Sequence, residues 1–142
     1  MTKIVVIGIT GRVGSRIATE LLSRGHQVTG IARKVDSVAA RERLTLKEGD
    51  ATSPQDFAPL LRGHDAVISA TSFLGGPDSA DLISAAKTAG VPRLLVVGGS
   101  SNLGVATGKT AGDMPDFPQA YRAEADASRL RLNGLRKEKD LD

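Results

Sequence analysis

Residues 6–16 read VIGITGRVGSR, and a glycine stands at every third position of this stretch: Gly8, Gly11 and Gly14. The stretch follows a β-branched run, 3–7, and opens an amphipathic run, 12–23, whose apolar residues recur at helical spacing. A strand, a glycine-rich turn and a helix in this order are typical of a dinucleotide-binding βαβ unit. The first glycine would let the chain turn off the strand, the second would admit a diphosphate to the backbone, and the third would let the helix pack closely. The N–H groups and dipole at the helix start would then face the phosphates.

Length and composition limit the class of protein. The 142 residues suffice for one domain, and 40% apolar with 25% charged residues is an ordinary globular composition. The chain has no cysteine, which excludes disulfides, a thiolate nucleophile and a thiolate metal site, and we predict no metal centre.

The same composition narrows location and partners. No apolar run reaches the ~18 residues of a membrane span, and the start MTKIVVIG lacks the pattern of a signal peptide. We therefore predict a cytoplasmic protein with no membrane partner. A net charge of only +3 and 3% aromatic residues argue against a nucleic-acid partner.

Strands and helices alternate along the rest of the chain. Strands are predicted at 26–32, 44–48, 65–70 and 93–97. Helices are predicted at 54–61, 78–89 and 118–137, with a weak helix near 37–41 and a loop over 98–117. This order predicts a doubly wound parallel α/β sheet, the Rossmann fold, with helices on both faces.

GITGRVGSR resembles the GATGxxG turn of atypical short-chain dehydrogenase/reductases, particularly the NmrA-like group and the biliverdin reductase B/flavin reductase type. EGDATSP, HDAVISAT, GVPRLLVVGG and PDFPQAYRAEA resemble later segments of the same family, so the resemblance covers essentially the whole chain. It implies that Thr10 lies against the phosphates and that Asp50 and Ala51 lie by the adenine. It also implies that three residues lie along the nicotinamide half: Ala70, Thr71 and Ser72.

Two cations at the end of the second strand bear on the choice of cofactor. NAD-specific folds usually carry Asp or Glu there to bond the ribose 2′-hydroxyl, whereas this chain has Arg33 and Lys34. Arg12 lies in the glycine turn, where the family often has a basic residue. These side chains suit a 2′-phosphate, so we predict that the cofactor is NADP(H). The alternative is that Arg33 and Lys34 are only a solvated pair of charges after a strand. The predicted cofactor-binding residues are Gly8, Thr10, Gly11, Arg12, Val13, Gly14, Arg33, Lys34, Asp50, Ala51, Ala70, Thr71 and Ser72.

Two residues are candidates for catalysis, Ser101 and Tyr121. Reductases of the wider superfamily use a Tyr-x-x-x-Lys arrangement, but the position four residues after Tyr121 is Ala125. The favoured interpretation of Tyr121 is therefore packing on an apolar helix face. In the family, a hydroxyl after the fifth strand can bond a substrate carbonyl or the nicotinamide. Ser101 matches best, with Ser100 as the alternative, although serines capping a glycine turn would look the same.

The end of the chain departs from the family, whose members continue into a sixth strand and a substrate-binding portion. We expect residues 1–142 to form one NAD(P)-binding Rossmann domain that lacks the C-terminal strands: either it is truncated at the substrate portion, or the substrate side is supplied in another way. The open edge of strand 93–97 would then be covered by a second copy of the chain or by the tail after Gly134.

The resemblance implies two functions. The first is an NADP(H)-binding oxidoreductase that passes hydride to a small-molecule acceptor, such as a flavin, a quinone or another carbonyl compound. The second is a non-catalytic NmrA-like NADP(H)-binding redox sensor. The missing lysine and the missing C-terminal portion favour the sensor, and the serine turn favours the enzyme.

Overall fold

The computed structural model describes residues 1–142, and its centre is a five-stranded parallel sheet. The strands are β1 (Lys3–Ile7), β2 (Gln27–Ala32), β3 (Leu44–Glu48), β4 (Ala66–Ser69) and β5 (Leu94–Val96), in the spatial order β3-β2-β1-β4-β5. The helices are α1 (Arg12–Ser23), α2 (Pro54–Leu61), α3 (Ser79–Ala89) and α4 (Arg122–Leu135). None of them combines the length and apolar character that crossing a membrane requires.

The central strand β1 buries side chains on both faces of the sheet, which explains its continuous apolar run. Val5 packs in a core with Phe57 of α2 and Leu82 of α3. Val6 points the other way, into a smaller core that holds Ala18 and Leu22 of α1. Burying each valine stabilises the fold by about 1.5–3 kcal/mol. The helices thus cover both faces, and the predicted doubly wound α/β fold is confirmed.

Three segments differ from the predictions. The weak helix near 37–41 is absent, because this polar segment makes only isolated turns and packs Val35 and Val38 on the smaller core. The last helix begins at Arg122 instead of 118, because Pro118 is followed by a 3-10 turn, Gln119–Tyr121.

The segment predicted as a loop, 98–117, contains a short hairpin of β6 (Gly104–Ala106) and β7 (Lys109–Thr110). Gly108 supplies the left-handed turn, with φ +71. The carboxylate of Asp113 ties the hairpin to α4, because it accepts from the Thr110 N–H at 2.8 Å, the Thr110 hydroxyl at 2.9 Å and Arg129 Nη1 at 2.8 Å. These hydrogen bonds, those from Thr110 first, lower the pKa of Asp113 to about 2.

The tail after α4 returns to the open edge of β5, which is one of the two arrangements expected. The Leu94 N–H donates to the Asp142 carbonyl at 2.8 Å, and the Asp142 N–H donates to the Pro92 carbonyl at 3.0 Å. Lys87 of α3 holds the same tail through Glu138 at 2.9 Å and Asp140 at 3.0 Å. Self-association through this edge stays a prediction.

A close approach of α4 to α3 makes Gly134 a sensitive position. A Cβ at Gly134 would overlap the Ser79 hydroxyl and lie 2.7 Å from Ser79 Cβ. Gly→Ala inside a helix ordinarily stabilises by roughly 0.5–1 kcal/mol. Here we expect Gly134→Ala to lower the free energy of unfolding by about 1–3 kcal/mol, because the helices must separate. Urea denaturation measures the change.

The control is the same substitution in a Ser79→Gly background, where the obstructing side chain is gone. There, Gly134→Ala should be neutral or stabilising. A parent protein that becomes more stable on Gly134→Ala would show that the two helices do not pack this closely.

Candidate functional site

A cleft of about 660 Å³ opens at the carboxyl ends of β1 to β4. The chain leaves β1 toward β2 and β3 on one side and returns to β4 on the other side. The cleft therefore lies at the point where strand order reverses, which is where open α/β sheets bind ligands. Its walls are the turns that follow the four strands.

Two of the three glycines of the first turn allow close backbone packing. Gly8 has φ +85, and a Cβ there would lie 2.6 Å from the Ala70 carbonyl oxygen at the end of β4. A Cβ at Gly14 would overlap the Gly8 carbonyl oxygen itself. Gly11 differs, because a Cβ there would have one close neighbour, the Gly8 carbonyl oxygen at 3.3 Å, and because Gly11 lines the open cleft.

The start of α1 presents unused hydrogen-bond donors. The backbone N–H groups of Arg12, Val13 and Gly14 make no hydrogen bond within the chain, and the first turn contains no acidic residue. Gly11 caps the helix without a side chain. Such an end carries partial positive charge and satisfies its donors with an anion. A dinucleotide diphosphate fits these features.

Arg33 and Lys34 line the cleft at the end of β2, and neither side chain makes an ion pair or a hydrogen bond. Asp50, after β3, lines the same cleft. Its Oδ1 accepts from the Thr52 hydroxyl at 2.7 Å and the Thr52 N–H at 2.9 Å. These bonds, helped by the charge of Arg33, lower the pKa of Asp50, so it is a carboxylate at neutral pH.

Most of the predicted cofactor residues line this cleft: Gly8, Thr10, Gly11, Arg33, Lys34, Asp50, Ala51, Ala70, Thr71 and Ser72. Arg12, Val13 and Gly14 do not, and lie in the first turn of α1 beside it. Sequence reasoning missed Thr52 and the segment 74–77, which also line the cleft. The consecutive Gly75-Gly76-Pro77 was the available signal for a tight turn at that point.

A second pocket, of about 300 Å³, brings the two candidate catalytic residues together. Ser101, in the turn after β5, is only 8% exposed, whereas Tyr121 is 61% exposed. The packing interpretation of Tyr121 is therefore wrong. The helix α4 begins at Arg122, directly after the tyrosine, and Tyr121 lies in the preceding 3-10 turn. Ser100 lines the pocket as well.

The parallel sheet, the cleft at its switch point and the glycine turn under a helix define a Rossmann-type nucleotide-binding domain. A comparison with protein families agrees. Residues 8–141 match the NAD(P)H-binding family, and the chain belongs to that family. The resemblance to atypical NAD(P)-binding reductases is thereby confirmed.

Three similar proteins cover almost all of this chain. YwnB of Bacillus subtilis, which is uncharacterized, is 34% identical over 142 residues, 94% of this chain and 65% of YwnB. The structure of a proposed exported protein from Burkholderia pseudomallei is 38% identical with a TM-score of 0.86, over 100% of this chain and 69% of that one. That of a proposed NADH-flavin reductase from Streptococcus pneumoniae is 31% identical with a TM-score of 0.79, over 100% and 69%. The chain thus spans about two thirds of the length of these relatives.

The different surroundings of Gly11 and Gly14 make a paired test of the turn. Gly11→Ala adds a methyl group whose one close neighbour is the Gly8 carbonyl oxygen at 3.3 Å. We therefore expect only a small change in melting temperature, and cofactor binding weakened by about tenfold or more as the diphosphate loses close approach. Gly14→Ala should lower the melting temperature too, because α1 must move off the turn. Thermal melts and calorimetric titration with NADPH and NADH measure both effects.

Undiminished binding by folded Gly11→Ala would contradict this location for the diphosphate. An unchanged melting temperature for Gly14→Ala would contradict the close packing of α1.

Proposed function

We propose that this domain binds NADPH and passes its hydride to a flat acceptor, such as a flavin, a quinone or another carbonyl compound. The observation that carries the proposal is the position of the aromatic residues. The chain has only three Phe, one Tyr and no Trp. Phe57 lies in the core. The other three aromatic residues line the second pocket together with Ser101, and we call it the aromatic pocket: Phe73, Phe117 and Tyr121.

The residues of the cleft suggest how the cofactor would lie. The first turn of α1 and Gly11 would hold the diphosphate, and Arg33, Lys34 and Arg12 would hold the 2′-phosphate. Asp50 and Ala51 would lie by the adenine, and Ala70, Thr71 and Ser72 along the nicotinamide. When bound, NADPH supplies the hydride, so the protein's task is to bind and orient both partners.

Phe73 relates the two pockets. It stands between Ser72 and Leu74, which line the cleft, while Phe73 itself lines the aromatic pocket. An aromatic acceptor stacked there would gain about 0.5–1.5 kcal/mol per ring pair beyond the area it buries. The Ser101 hydroxyl would donate a hydrogen bond to a carbonyl of the acceptor. Similarity to a proposed NADH-flavin reductase supports the flavin among these acceptors.

A non-catalytic NADP(H)-binding redox sensor is the second candidate, and two observations favour it. The aromatic pocket contains no lysine, and the exposed Tyr121 has no hydrogen-bond partner that would position its hydroxyl as an acid. NADPH consumption measured with a panel of flavins and quinones separates the two functions. The cytoplasmic location and the absence of nucleic-acid and membrane partners stay predictions, and one similar protein is a proposed exported one.

The preference for NADPH over NADH depends on the cations beside the cleft. Charged hydrogen bonds contribute about 1.5–3 kcal/mol each, so Arg33→Ala should weaken NADPH binding roughly ten- to a hundredfold and leave NADH binding almost unchanged. Arg62→Ala is the matched control, because Arg62 is exposed and remote from the cleft. Calorimetry measures the affinities of the unmutated protein and both variants for NADPH and for NADH. Equal affinity of the unmutated protein for NADPH and NADH would reject the preference.

Ser101 and Tyr121 should differ in their effect on turnover. Ser101→Ala removes one neutral hydrogen bond, so kcat/KM for a carbonyl acceptor should fall by roughly three- to tenfold. Tyr121→Phe keeps the ring that lines the pocket and should leave turnover within a few-fold, whereas loss of a true general acid costs about 10²–10⁴-fold. A fall of that size in folded Tyr121→Phe would establish the tyrosine as the acid.

A further inference from the structure

Arg131, on α4, is a buried cation without a carboxylate partner. It is only 5% exposed and takes part in none of the ion pairs of the protein. Its Nη2 donates to the Ser72 carbonyl at 2.8 Å and to the Pro77 carbonyl at 2.7 Å. Its guanidinium carbon lies 5.1 Å from the centre of the Phe73 ring, and Nη1 is buried without a partner.

This arrangement is unfavourable for stability taken alone. Removing a charge from water is energetically costly, and well-packed apolar residues of similar volume are often at least as stable in a buried position. Burial lowers the pKa of Arg131, against the opposing charge of Asp78. The contacts of Arg131 therefore indicate a role in holding the two carbonyl groups that it binds.

The segment between its two acceptors, 72–77, has few other attachments. No backbone–backbone hydrogen bond begins or ends in these six residues. The Leu74 N–H bonds the Ser72 hydroxyl at 3.3 Å, which is a contact within the segment. The two bonds from Arg131 are thus the only hydrogen bonds that attach the segment to the rest of the protein.

The bonds join the two ends of the segment. Ser72 is its first residue and Pro77 its last, and one nitrogen atom binds the carbonyl of each. A loop whose ends are joined in this way loses much of its conformational freedom. Between them, Leu74, Gly75 and Gly76 line the cleft, and Phe73 lines the aromatic pocket.

We propose that Arg131 is a positioning residue that clamps the 72–77 loop. Through this loop it shapes both the cofactor cleft and the aromatic pocket, although Arg131 does not itself line the cleft. The clamp rests on the geometry above, and its effect on binding rests on the proposed function. The loop follows β4, whereas Arg33 and Lys34, which would hold the 2′-phosphate, follow β2 on the other side of β1. The clamp therefore acts equally on NADPH and NADH.

The test uses three variants of the whole chain. Arg131→Met keeps the volume but removes the donors, and Arg131→Lys keeps one charged donor for the carbonyls. Arg129→Met is the matched control, because Arg129 lies on the same helix and bonds Asp113 and Thr110, away from the loop. Two quantities are measured: calorimetric affinity for NADPH and NADH, and NMR order parameters of the amides of Leu74 and Gly75 in the free protein.

We expect Arg131→Met to weaken both cofactors by the same factor, about tenfold or more, and to lower the two order parameters from about 0.85 to below about 0.6. Arg131→Lys should have affinities and order parameters between those of Arg131→Met and the parent. If Arg131→Met does not fold, the values for Arg131→Lys test the proposal in its place. Arg129→Met should bind within about twofold of the parent and leave the loop ordered.

The inference is overturned if every folded Arg131 variant keeps the loop as ordered as in the parent, whether or not binding weakens. It is also overturned if the loop becomes mobile but affinity stays within about twofold. A parent protein that binds neither cofactor would refute the proposed function instead, and the order parameters would still decide whether Arg131 clamps the loop.

Discussion

The contact between α1 and the turn after β1 is the constraint on which the rest of the site depends. The carbonyl of Gly8 occupies the space that a Cβ of residue 14 would need, and the space beside Gly8 is taken by the carbonyl of Ala70. The ends of β1 and β4 and the first turn of α1 therefore meet backbone to backbone. This proximity leaves the unused N–H groups of α1 beside the cleft. A single methyl group at either contact would separate them.

The helix α4 organises the opposite side of the site through buried polar residues. Ser128 accepts from Asn102 Nδ2 at 2.7 Å, beside the turn that contains Ser101. One turn further along, Arg131 reaches the 72–77 loop. Both residues are buried on the same face of the helix. An α-helix is rigid over this length, so the turn after β5 and the loop after β4 are placed relative to each other by one element.

The sequence predicted the parts of the fold that depend on neighbouring residues. The bounds of β1, α1, β3 and α2 were predicted correctly. The two helices end just before Gly25 and Gly63, which have positive φ, and the two strands are short runs with β-branched or alternating apolar residues. The glycine turn and Arg33 are local signals too. The loop clamp is not, since Arg131 is 59 residues away from Ser72. The exposure of Tyr121 was also not predicted. The helix α4 begins at Arg122, one turn after the predicted start at 118, so Tyr121 lies outside the helix whose apolar face it was expected to join.

The unequal size of the two cores has a consequence for proteolysis. The core beneath α1 is built on five buried residues, whereas the one beneath α2 and α3 has eleven. Local opening requires less free energy where less apolar surface is buried, so α1 is expected to detach and be cleaved more readily than α2 or α3. A nucleotide held at the amino end of α1 binds only the attached form. At a hundred times its dissociation constant it suppresses opening by about 2.7 kcal/mol. Protection of the α1 segment from a protease thus measures occupancy of the cleft without any turnover.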